Sequence, residues 1–109
     1  MALFDPPHPG KVIRETLEGL REETALKLTI AQVAAGLCTT RKTLSAIING
    51  KQSVTPEMAI RLAAGFPNTT PEFWLKLQEN YDLAKARTKV DISHIQVFGK
   101  PANSAFQPV

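Results

Sequence analysis

The densest group of side chains able to recognise another molecule lies in the run Thr40 to Lys51, TRKTLSAIINGK. Projected on a helix, Leu44, Ile47 and Ile48 form a narrow apolar stripe, and Arg41, Lys42, Thr43 and Ser45 occupy the opposite side. The chemistry of that second side is donation to base edges and phosphates. A guanidinium fork can bond a guanine edge bidentately, a lysine can serve a base or a phosphate, and hydroxyls can serve either. No comparable set supports catalysis. His8 and His94 are far apart in sequence, Cys38 is the single cysteine, and no glycine-rich loop precedes a helix. Neither catalytic residues, a metal nor a cofactor is expected.

The charge distribution agrees with a binding role. The chain has 13 Lys and Arg against 10 Asp and Glu, a net charge of +3. Between Thr24 and Pro56 there is no acid, whereas Lys27, Arg41, Lys42 and Lys51 all lie there. That region therefore carries a local positive field. A chain of 109 residues, 43% hydrophobic, is sized for one domain with a core of its own. The lone cysteine, together with the lack of a leader pattern or long apolar run, leads us to expect a cytoplasmic protein with no membrane partner.

The elements that must position these side chains follow from caps and periodicity. Thr29 and Gln32 have the spacing of a capping box, which starts a short helix from Ile30 to about Ala35. Thr40 is a second N-cap, and the helix behind it stops at Asn49-Gly50, where glycine tolerates the left-handed conformation. Two short helices joined by a tight turn, the second one basic, make a helix-turn-helix spanning Thr29 to Thr55. Before it, Pro6, Pro7 and Pro9 predict an extended arm over residues 1–9. A helix from about Gly10 to Glu22 then places Ile13, Leu17 and Leu20 on one face. Glu23 to Leu28 is a linker or an extension of that helix. After the helix-turn-helix, Thr55-Pro56-Glu57 and Thr70-Pro71-Glu72 each combine an N-cap, a proline at the first helical position and an acid at the positive end of the dipole. The second opens a longer helix to about Arg87. The expected fold is thus all-α, with five helices in a domain over 10–87. Residues 88–109 form a tail rich in strand formers, either an edge strand or a disordered arm.

Three stretches together resemble one family. They are His8 to Glu15 (HPGKVIRE), Arg41 to Lys51 with its trailing Asn-Gly-Lys, and Val54 to Ala63 (VTPEMAIRLA) continuing to Pro71 to Gln78 (PEFWLKLQ). The combination is similar to HigA-type antitoxins, also called VapI-like proteins, over roughly Pro7 to Lys85. The resemblance implies a lambda-repressor-like DNA-binding domain that dimerises, represses its own operon and neutralises a HigB-type toxin, an mRNA-cutting ribonuclease with a RelE-like fold. The turn position that usually holds glycine in that family is Cys38 here. A left-handed conformation at that residue would cost about 1 kcal/mol.

By position in the motif, Thr40, Arg41, Lys42 and Thr43 are expected to read bases in operator DNA. Thr29, Ile30, Ser45, Asn49 and Lys51 are expected to hold phosphates and set register. Phe73, Trp74, Leu77 and Tyr81 on the long helix are the expected homodimer surface, although Trp74 and Leu77 could equally close the monomer core. Ile92, Ile95, Val97 and Phe98 are an expected toxin contact, because an extended apolar segment can add as a strand to a partner's sheet. Two other readings stay open. One is a stand-alone phage-like repressor, and the other a helix-turn-helix scaffold that binds protein and not DNA.

Overall fold

The computed structural model describes residues 5–24 and 27–99. Within them the chain forms five helices: α1 (Pro9–Thr24), α2 (Ile30–Gly36), α3 (Arg41–Ile48), α4 (Pro56–Gly65) and α5 (Pro71–Arg87). Four of the five starts are set by a threonine hydroxyl. Thr29, Thr40, Thr55 and Thr70 each accept the backbone N–H of the residue three positions on, and Pro56 and Pro71 take the first helical position of α4 and α5. The first start is different. His8 caps α1 through its imidazole, whose Nδ1 accepts the Gly10 N–H at 2.9 Å, and Pro9 is already helical. Helix α1 therefore starts one residue earlier than expected and continues two residues beyond Glu22, and residues 1–4 of the expected arm lie outside the described residues.

The core is a single cluster contributed by every helix. Ile13 and Leu17 of α1 meet Ala34 of α2, Leu44, Ile47 and Ile48 of α3, Met58, Ala59 and Leu62 of α4, and Trp74 of α5, with Leu37, Val54 and Phe66 filling from the loops. Each large aliphatic side chain buried this way contributes about 1.5 to 3 kcal/mol relative to exposure. The helices α4 and α5 pack most extensively on each other, α3 packs on α1 and α2, and α1 touches α5.

Two polar side chains tie helices to the connections beside them. Gln78 is buried on α5, where its Oε1 accepts the Val54 N–H at 2.8 Å and its Nε2 donates to Asp82 Oδ1 at 2.9 Å. Arg21 donates twice to the Leu28 carbonyl, at 2.9 and 2.6 Å, which fixes the far end of the connection between α1 and α2. Ala25 and Leu26 of that connection lie outside the described residues.

Beyond α5 the described part of the tail is irregular and forms no strand with any described residue. The Ser93 N–H donates to Asp91 Oδ1 at 3.0 Å, which holds that carboxyl below its ordinary value, and Ile95 N–H closes a turn on the Ile92 carbonyl. A strand needs a paired ladder. Asp91 and Ser93 bend the backbone where that ladder would run.

Candidate nucleic-acid interface

The geometry of the helix-turn-helix is set by two matching helix ends. At the end of α2, Cys38 N–H donates to the Ala35 carbonyl and Thr39 N–H to the Ala34 carbonyl; at the end of α3, Gly50 N–H donates to Ile47 and Lys51 N–H to Ala46. Both patterns are Schellman closures, in which the residue after the cap must be left-handed. Gly50 meets that requirement at φ 74° and Cys38 meets it at φ 59°. The predicted departure at Cys38 is therefore real: a residue with a β-carbon occupies the glycine position of the turn.

The strained turn has a brace from outside the motif. Arg61, on α4, donates through Nη1 to the carbonyls of Leu37 and Cys38 at 3.2 and 2.9 Å, and through Nη2 to Glu57 Oε2 at 2.8 Å. The Glu57 carboxylate raises the pKa of that guanidinium above its ordinary value. Turn carbonyls that no backbone N–H takes are thus satisfied by a fixed cation, and the angle between α2 and α3 is tied to α4.

On this frame α3 presents its first turn to solvent. Arg41 and Lys42 are exposed, and neither has a carboxylate at ion-pair distance among the described residues. Thr43 is half-buried. The Thr40 hydroxyl accepts the Thr43 N–H at 3.1 Å and donates to Thr43 Oγ1 at 2.9 Å, so Thr40 is engaged as a cap while the Thr43 hydroxyl proton is left for an outside acceptor. Leu44, Ile47 and Ile48 face the core. Ser45 is half-buried and lies 3.4 Å from Asn49 Nδ2, and Lys51 is exposed in the following turn. Thr29 completes its capping box with Gln32, at 3.1 Å from Gln32 N and with its own N–H 2.9 Å from Gln32 Oε1. That leaves the amides at the start of α2, with half-buried Ile30 first, as the outward donors there.

The arrangement presents a basic first turn and open backbone amides: a surface for a polyanion. The helix-turn-helix family model matches residues 17–74. The chain belongs to the helix-turn-helix family. Within that family its likeness is to antitoxins and their relatives. It is 44% identical over 81 residues to virulence-associated protein A' of Dichelobacter nodosus, a match covering 74% of this chain and 65% of that relative, just under two thirds of its length. The structure resembles an addiction module antidote protein of a HigA family from Coxiella burnetii, with 38% identity and a TM-score of 0.66 over 79% of this chain and 87% of that one. It also resembles the Pseudomonas aeruginosa antitoxin HigA with higBA promoter, with 34% identity and a TM-score of 0.64 over 76% and 84%.

The residues expected at the dimer surface do not stay together in this helix-turn-helix chain. Trp74 is only 1% exposed and its Nε1 donates to Thr69 Oγ1 at 3.0 Å, so it belongs to the monomer core and is withdrawn from the surface set. Leu77 is half-buried against that core, and Tyr81 is half-buried beneath His8, ring centroids 4.8 Å apart. Phe73 alone of the four remains exposed. In the tail, Ile92, Ile95, Val97 and Phe98 are all exposed, and where α5 ends Ala86, Arg87, Val90 and Ile92 line a shallow hollow of about 380 Å³. Two arginines outside the helix-turn-helix carried no role in the sequence reading: Arg61 on α4, which braces the turn, and Arg14 on α1, whose Nη2 donates to Asn49 Oδ1 at 2.9 Å. Among the described residues no helix is long and apolar enough to cross a membrane.

Proposed function

We propose that this chain is an antitoxin that binds operator DNA as a dimer to repress its own operon and neutralises a HigB-type mRNA-cleaving toxin. The observation that carries the DNA half is the first turn of α3, where Arg41 and Lys42 stand exposed, with no ion-pair partner among the described residues, on a helix held at its start by the Thr40 cap and at its end by a Schellman closure. Preorganised cations on a rigid helix match the guanine acceptors of the major groove. Arg41, Lys42 and Thr43 read bases, with Thr40 framing the turn. Asn49, Lys51, Ser45 and the α2 amides around Thr29 and Ile30 take phosphates. One such domain covers few base pairs, so a two-fold dimer would read half-sites about 34 Å apart. The toxin half is supported by likeness to proteins named antitoxin and antidote, and by the exposed apolar tail from Ile92 to Phe98.

The test uses duplex DNA from upstream of the chain's own reading frame and duplex DNA of mixed sequence. Arg41→Ala should weaken the first by about tenfold or more, the loss of one bidentate base contact, and the second far less. Lys51→Ala should weaken both. Equal losses for Arg41→Ala on both DNAs would remove it from base reading. Co-expression with the adjacent open reading frame tests the toxin claim: the neighbour should arrest growth unless this chain is present.

A further inference from the structure

The first turns of α1 and the turn after α3 form one surface. Gly10 lies so close to the end of α3 that a β-carbon there would overlap the Ile47 carbonyl oxygen and sit 2.7 Å from that of Ile48. A β-carbon on Gly50 would be 3.9 Å from the His8 ring. Arg14 is one helical turn beyond Gly10 on the same face of α1, and this packing brings its guanidinium to Asn49, the residue that ends α3, with Nη2 to Oδ1 at 2.9 Å. Glu18, four residues on from Arg14, has the spacing to pair with it, yet no ion pair joins them.

That choice of partner has an electrostatic consequence. A carboxylate would orient the guanidinium and cancel its charge, whereas an amide oxygen orients it and leaves the full charge in place. Only one of five N–H donors is used on Asn49. Asn49 is fixed in return: with Oδ1 taken by Arg14, its Nδ2 has only the 3.4 Å contact to Ser45 Oγ and can serve an outside acceptor. Lys11 on α1 and Lys51 beyond Gly50 are exposed on either side of this pair in the chain.

We propose that Arg14 is a further DNA-backbone contact, holding a phosphate beside the end of α3 while it sets the orientation of Asn49. This rests on the reading that the chain binds DNA. It extends the interface onto α1, outside the helix-turn-helix. The experiment measures binding to labelled mixed-sequence duplex DNA as a function of salt for the full-length chain and for Arg14→Ala and Arg14→Lys. Arg14→Ala should bind more weakly at low salt and lose about 0.9 from the slope of log affinity against log salt. Between about 50 and about 200 mM salt its affinity should therefore fall about 3.5-fold less than that of the parent. Arg14→Lys keeps the charge and should keep the slope. Because Arg14 is exposed, circular dichroism and melting should match the parent for both variants. A parental slope in Arg14→Ala, with or without weaker binding, overturns the phosphate contact while leaving the DNA reading intact. A parent that shows no salt-dependent binding overturns both.

Discussion

At the scale of single residues, the same substitution should have opposite signs at two positions of α1. Gly10 is pressed against backbone atoms of Ile47 and Ile48, which cannot rotate away, whereas a β-carbon on Gly19 would meet nothing within 4 Å. Gly10→Ala should therefore push α1 off α3 and destabilise the fold by about 1 to 3 kcal/mol. Gly19→Ala should stabilise it by about 0.5 to 1 kcal/mol, since it restores helix propensity without a clash. Urea denaturation of the two variants checks both signs, and a Gly10→Ala as stable as the parent would refute the close approach. Cys38 makes a complementary case. It is exposed, makes no disulfide, and occupies at φ 59° the position that Gly50 fills in the matching closure. Removing its β-carbon relieves about 1 to 2 kcal/mol of left-handed strain, offset by the larger entropy of an unfolded glycine. Cys38→Gly should emerge more stable by about 0.5 to 1 kcal/mol, with the DNA-binding face unchanged. This position was legible in the sequence because the chain departs from its family there. Arg14 and Arg61 were not, because their partners lie 35 and 24 residues away and depend on how α1 and α4 dock.

At the scale of elements, helix boundaries were legible wherever a local code exists. Four threonine caps, two Thr-Pro-Glu starts and the Asn-Gly stop mark α2 to α5 to within a residue or so. What the sequence hid was the inward face of α5. Its two buried residues are Trp74 and Gln78, and a polar side chain at the second position breaks the apolar stripe that would have assigned Trp74 to the core. The cap of α1 was legible from position, since His8, which has no metal or catalytic partner in the sequence, stands just before that helix and caps it. That cap makes the α1 to α5 junction sensitive to pH. His8 Nδ1 accepts the Gly10 N–H, and its ring meets Tyr81, over which Lys85 lies, with Asp82 close by. Burial lowers the His8 pKa, and the Asp82 charge offsets only part of this. A protonated imidazole cannot accept the Gly10 N–H. Below the ordinary value of 6.5 the unfolded chain takes up a proton that the folded one resists. Stability is therefore full above that pH and falls as pH drops from 6.5 toward the lowered folded value, with a slope of less than one proton. Denaturation midpoints across that window should show this slope in the parent and lose it in His8→Asn. An unchanged slope in the variant would assign the dependence to another group.

At the scale of the whole molecule, the helical domain closes its core without the described part of the tail, residues 88–99, which keeps apolar surface that the domain does not use. Trp74→Ala should therefore cost about 3 to 5 kcal/mol in folding, whereas Phe73→Ser, on an exposed side chain, should leave stability nearly intact and act on self-association, read by sedimentation. The tail poses the sharper case. Val90, Ile92, Ile95, Val97 and Phe98 are between 58% and 84% exposed, and none is part of the core cluster. Five large apolar side chains in so short a segment would each gain about 1.5 to 3 kcal/mol from full burial, which a single chain forgoes. The last described backbone bond to α5 is Val90 N–H to the Ala86 carbonyl at 3.0 Å, so a chain ending at Lys89 retains every described residue of the core cluster. That truncation should unfold cooperatively within about 0.5 kcal/mol of the parent. If the apolar segment meets the toxin, the truncated chain should fail to rescue growth when the toxin is co-expressed, although it still folds. Substituting polar residues at Ile92, Ile95, Val97 and Phe98 in the untruncated chain should reproduce the failure, because length without apolar surface offers nothing to bury. Rescue by the truncated chain at the parental level would move the toxin surface onto the helices, where Ile60 and Leu83 are the exposed apolar side chains left to test.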